Sequence, residues 1–247
     1  MSELKAYAVW DATTRWFHWI NALCVIALAF VGSVILNAGD LDVSNAGKVA
    51  LKEVHAWIGY VFVFNLAWRI VWAFLGNRYA RWRSIVPGGR GYLHALRGYL
   101  AAFIAGPPEQ YLGHNPAGRL GIAALFLLIT IQAITGLILA GTDLFYPPIG
   151  HWIAQWIVGA GVDPGSLLPY APETYEAAAY EQMRAFRKPF ALVHRYSFYV
   201  LAVVVVFHVV AVIITELREG GSIISAMFTG RKIIRGRPAD DARHSHD

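Results

Sequence analysis

Residues 191–212 read A-L-V-H-R-Y-S-F-Y-V-L-A-V-V-V-V-F-H-V-V-A-V, an apolar run interrupted chiefly by His194, Arg195 and His208. A run of this length can cross a bilayer, where ionisable side chains are rare and mark function. Fourteen residues separate the two imidazoles. On a helix they share one face, about 40° apart around the axis and about 21 Å apart along it. One helix therefore offers a metal ligand near each side of a membrane, which suggests two stacked metal centres and an electron path between them.

Three further apolar segments approach the ~20 residues needed to span. The four expected spans are residues 16–36, 54–75, 120–140 and 190–215. Composition agrees. Of 247 residues, 57% are hydrophobic and 15% charged, well below the roughly 25% charged of a soluble domain. Nine Trp and twelve Tyr suit two interfacial aromatic belts. The single cysteine, Cys24, allows no internal disulfide and reads as a small core residue. No C-x-x-C-H for covalent heme is present. The N-terminus lacks an early apolar segment of signal-peptide type, so the first span is expected to be retained.

The net charge of +5 does not call for nucleic acid, because the cations cluster beside apolar runs. Arg78, Arg81, Arg83, Arg90, Arg97 and Arg119 face one acid, Glu109, between spans two and three. The N-terminus and the tail R-K-I-I-R-G-R are also basic, whereas the first and third loops carry the acids. The positive-inside rule then places both termini in the cytoplasm and requires an even number of spans. Residues 91–106 and 151–159 have helical apolar spacing and are expected as short interfacial helices. The fold class is thus an all-α integral membrane protein, a four-helix transmembrane bundle. Residues 1–215 form its membrane domain. Residues 216–247 form a cytoplasmic basic tail with a disordered end.

On this topology the histidines sort by depth. His55 and His194 fall near the periplasmic face, and His18 and His208 near the cytoplasmic one. Each level holds one ligand from the fourth helix and one from another, as the two axial positions of a heme wedged between helices require. A lone histidine at a helix end is more often an interfacial polar residue, a reading that would suit His18 by itself. Zinc is the metal alternative, but it usually takes three or four ligands at one point. Arg69, fourteen residues after His55, reaches the cytoplasmic level and is a candidate partner for a heme propionate. Arg195 is its periplasmic counterpart, with snorkelling to headgroups as the alternative for both. Gly59, one turn after His55, leaves that helix face open, by a ring or by a packed neighbour. Thr130, Gln132, Thr135 and Gly136 in the third span read as interhelical hydrogen bonding and close packing, with quinone lining as the lesser option. His94, His114 and His151 are expected at the surface or interface, and His244 and His246 in the disordered tail.

R-W-F-H-W at the first span, H-A-W-I-G-Y at the second, G-H-N-P-A-G-R-L and Q-A-I-T-G-L at the third, H-R-Y-S-F-Y at the fourth and E-L-R-E-G-G-S-I-I-S-A-M-F-T-G-R-K beyond it carry a resemblance over nearly the whole chain. It resembles the bacterial cytochrome b561 family, especially the b-type cytochrome subunits of nickel–iron hydrogenases, and more distantly the membrane subunit of formate dehydrogenase. The resemblance implies two heme b groups ligated by His18, His55, His194 and His208 in a bacterial inner membrane. It also implies electron exchange between quinone and a periplasmic redox protein, a hydrogenase small subunit or a c-type cytochrome. Such a chain is the electron-transfer subunit of an oxidoreductase. The partners are lipid, quinone and the redox protein, not nucleic acid, and a homodimer is compatible with the pattern. Three other readings are a stand-alone oxidoreductase passing electrons from superoxide or a small donor to quinone, a proton or ion transporter relaying through its histidines, and a pure anchor.

Overall fold

The computed structural model describes residues 4–106, 109–219 and 222–241. Four helices are long and apolar enough to cross a membrane: α1 (Ala12–Leu36), α2 (Asn45–Leu75), α5 (Pro116–Leu144) and α7 (Ala177–Glu219). Between them lie α3 (Trp82–Ile85), α4 (Tyr92–Ala105) and α6 (Gly150–Ile157), and α8 (Ile223–Thr229) follows. The short helices expected at 91–106 and 151–159 are α4 and α6. Large apolar side chains on the long helices face outward, Phe64 at 77% and Phe207 at 68% exposure. Such a surface is tolerable only against hydrocarbon.

All four long helices exceed the spans read from hydropathy, because polar turns with side-chain caps extend their first turns. Thr14 N donates to Asp11 Oδ1 (2.7 Å), Gly47 N to Ser44 Oγ (3.1 Å), and Gly118 N to Asn115 Oδ1 (2.6 Å). Before α7, the Glu176 carboxylate accepts from Ala178 N and Ala179 N. Each cap satisfies N–H groups that a helix start leaves without partners. α7 begins well before residue 190 and continues through Pro189.

The chain divides into two compact units: Met1–Trp19 with Ala67–Leu127 and Leu201–Asp247, and Ile20–Leu66 with Leu128–Val200. In the first, β1 (Leu4–Ala8) pairs antiparallel with β2 (Arg231–Arg235), Leu4 opposite Arg235. Val9, Trp10, Tyr79, Leu112, Ala226 and Ile234 form its core. Gly230, at φ +79°, offers its carbonyl to Val9 N and Trp10 N, and a Cβ there would lie 2.7 Å from Trp10 O. The tail expected as a separate segment is therefore integrated up to Asp241. Asp240 accepts from Leu112 N (2.6 Å) and Gly113 N (2.8 Å), and Lys232, 7% exposed, donates to the carbonyls of Tyr111 and Gly113. The end expected to be disordered, residues 242–247, lies outside the described residues.

In the second unit, one side of α6 (Ile153, Ala154, Ile157) packs with Leu167 and Met183, while Trp152 and Trp156 are exposed. Cys24 is a buried free thiol. Asp143 on α5, 12% exposed at its side chain, accepts from Lys52 of α2 (2.6 Å) and binds Arg187 of α7 through both carboxylate oxygens. Lys52 also binds Tyr170 of the long loop. One carboxylate thus joins three helices.

Candidate functional site

α2 and α7 bring His55 and His194 together, with ring centres 6.3 Å apart and planes at 72°. Both imidazoles are half-buried. Two glycines border them. A Cβ on Gly32 of α1 would lie 3.2 Å from His55 Cε1, and one on Gly136 of α5 would lie 3.5 Å from His194 Cε1. A methyl at Gly32 would press on the His55 ring, whereas one at Gly136 would make ordinary van der Waals contact with His194. A Cβ on Gly59 would meet nothing within 4 Å, so the face one turn after His55 is open.

Around His194 the polar residues of α5 are engaged. Gln132 Nε2 donates to His194 O (2.8 Å) and Ser197 Oγ (2.9 Å), and Thr135 Oγ1 lies 2.8 Å from His194 Nδ1. The interhelical hydrogen bonding expected of the Q-A-I-T-G stretch is present. His55 Nδ1, by contrast, is buried without a partner.

In the other unit, α1 and α7 place His18 and His208 within electrostatic range of each other. His18 Nδ1 is also buried and unpartnered, and its ring meets Trp19 edge-on at 5.0 Å. Each of the two units thus contains two of these histidines, and His55 and His194 are in ring contact. Among the described residues no group of three or more His, Cys, Asp or Glu gathers at one point, so the imidazoles come in twos.

Arg69 is 3% exposed. Its Nη2 donates to Ala80 O (2.9 Å), and the guanidinium lies over the rings of Phe17 (5.7 Å) and Phe126 (5.6 Å). Its Nη1 is buried and makes no hydrogen bond. An arginine in this state has donor capacity for an anion. Arg195 is exposed and lies over Tyr196 (5.6 Å).

His94 and His151 are exposed, as expected. His114 is half-buried. Its Nδ1 is buried, its ring packs on Trp10 at 4.8 Å, and burial, reinforced by Lys232, Arg69 and Arg119, pushes its pKa down to about 3. Residues distant in sequence close over part of the ring, which local polarity does not report. His244 and His246 lie outside the described residues. Asp11, which caps α1, is pushed up by burial, but hydrogen bonds from Thr14 and Trp72 outweigh this and hold its carboxyl below the usual range.

Four apolar helices that bring imidazoles together in pairs define a multi-pass membrane protein of the b-type cytochrome kind. The chain belongs to the prokaryotic cytochrome b561 family, whose model matches residues 9–230. It is 26% identical to a probable Ni/Fe-hydrogenase B-type cytochrome subunit of Rhizobium leguminosarum bv. viciae, over 95% of this chain and 92% of that one. A protein of the same description from Cupriavidus necator is 25% identical, over 94% and 89%. The Escherichia coli K12 protein described as a probable Ni/Fe-hydrogenase 1 B-type cytochrome subunit is 29% identical, over 65% and 80%. Family membership implies heme b and membrane electron transfer.

Proposed function

We propose that this chain is the membrane cytochrome subunit of a Ni/Fe hydrogenase, holding two b hemes and passing electrons between a periplasmic hydrogenase and quinone. The observation that carries this reading is the His55–His194 separation of 6.3 Å. Two imidazoles on opposite sides of one metal, each at about 2.0 Å with its ring centre about 1.1 Å further on, have centres roughly 6 Å apart. The observed separation matches the one that a shared iron would require.

The remaining residues suit the same group. Gly32 and Gly136 leave the ligand rings room, and Gly59 leaves an open face. The unpartnered Nη1 of Arg69 suits a propionate at the His18/His208 centre, and Arg195 takes the corresponding part at the other. Bound heme supplies one-electron chemistry; the chain supplies ligation, spacing and a low dielectric. An iron held by two of these histidines would keep no open position, so such a centre would suit electron transfer and not oxygen activation.

The basic N-terminus, the Arg-rich segment between α2 and α5 and the basic tail support cytoplasmic termini in a bacterial inner membrane. The His55/His194 centre then lies toward the periplasm. The segment between α5 and α7, residues 145–176, with its exposed Trp152 and Trp156 on α6, is the surface offered to the hydrogenase, the partner that the descriptions of the relatives favour. Pyridine hemochrome analysis of the purified chain tests the proposal. About two b hemes per polypeptide are expected. One would break one of the pairs, and none would end the reading.

A further inference from the structure

We propose that Thr135 sets the proton position, and through it the reduction potential, of the His194 ligand. The inference rests on His55/His194 heme ligation as proposed above. Thr135 is 5% exposed, and its hydroxyl has one proton to give. That proton is directed at the α5 backbone, with Ile131 O at 2.7 Å and Gln132 O at 3.4 Å. Thr135 Oγ1 therefore acts as acceptor toward His194 Nδ1, 2.8 Å away. Nδ1 carries the ring proton, and Nε2 presents its lone pair to the metal.

The consequence goes beyond orientation. A donor hydrogen bond from the far nitrogen raises the basicity of the ligating one. A more basic axial ligand stabilises the oxidised iron and lowers the potential of its centre. Gln132 ties α5 to the same turn of α7 through His194 O and Ser197 Oγ. His55 and His18 have no such acceptor, since their Nδ1 atoms are buried and unpartnered. The His55/His194 centre is thus asymmetric, with one strengthened ligand and one plain one.

Thr135→Val preserves shape and removes the acceptor, and Thr135→Ser preserves the hydroxyl. Redox titration of the two hemes in the purified full-length protein, followed optically, should show one midpoint moved to higher potential in Thr135→Val and the other unchanged. Thr135→Ser should titrate like wild type. Two loaded hemes with unmoved midpoints in Thr135→Val would overturn the role of Thr135. If Thr135→Val fails to hold heme, Thr135→Ser decides: a loaded protein with a wild-type potential supports the hydroxyl, and a shifted one overturns it. His194→Ala separates the two levels of inference. If that variant keeps both hemes, the ligation itself is wrong, whatever Thr135 does.

Discussion

The imidazole planes of His55 and His194 stand at 72° to each other across a 6.3 Å gap. Were both rings to hold one heme iron as proposed, their nearly perpendicular planes would single out neither of the two metal d orbitals that overlap the ligand π systems, and the magnetic anisotropy of the ferric ion would be large. Low-temperature electron paramagnetic resonance of the oxidised protein should therefore show a low-spin signal with its largest g value well above that of parallel-plane bis-imidazole heme. The signal should disappear in His194→Ala. A parallel-plane spectrum from this centre would mean that the rings rotate on binding.

Gly32 and Gly136 differ in how closely they approach their histidines, 3.2 Å and 3.5 Å from a would-be Cβ. The second is an ordinary van der Waals contact and the first is tight. Gly136→Ala should load heme normally, whereas Gly32→Val should push His55 off its position. The hemochrome yield of Gly32→Val is expected to fall from two hemes per chain toward one. Equal loading of both variants would show that α1 can yield at Gly32.

Asp143 binds Lys52 and Arg187 at once, and these residues sit three positions before His55 and seven before His194. Asp143→Asn leaves two cations facing each other without a counter-charge. Fully buried pairs broken this way lose about 3–5 kcal/mol. With the Lys52 and Arg187 side chains 22% and 31% exposed, a loss nearer ~2 kcal/mol is expected. The melting temperature in detergent should drop by several degrees, and the His55/His194 heme should be released before the other. An unchanged melting temperature would show the triad to be decorative.

Hydropathy disclosed the four long helices because it depends on local sequence, and the charge of the connecting segments put His55 beside His194, which are in ring contact. The helix starts are also local, but hydropathy does not mark them: the capping residues Asp11, Ser44, Asn115 and Glu176 lie five to fourteen residues before the apolar runs. Thr135 and Gln132 stood out as polar residues in an apolar helix, yet their common target, His194, is about sixty residues away. The β1–β2 pairing joins the two ends of the chain, and neither strand has the length to declare itself alone. The joining of Lys52, Asp143 and Arg187 likewise depends on three helices at once.

His114 shows the same limit and yields a prediction about acid. In an unfolded chain its imidazole titrates near 6.5. In the folded protein burial and the positive charges of Lys232, Arg69 and Arg119 hold the pKa to about 3, with a hydrogen bond to the Ser84 backbone opposing the shift. Between those values the unfolded chain binds a proton that the folded chain does not. His114 therefore contributes no pH dependence above about 6.5, and folding weakens as the pH falls from there toward about 3. His114→Gln, which keeps a polar group beside Ser84 and cannot titrate, should flatten the fall in melting temperature between pH 6.5 and about 4.5, before most carboxylates protonate. Parallel curves for wild type and variant across that window would mean that His114 is protonated in the folded protein.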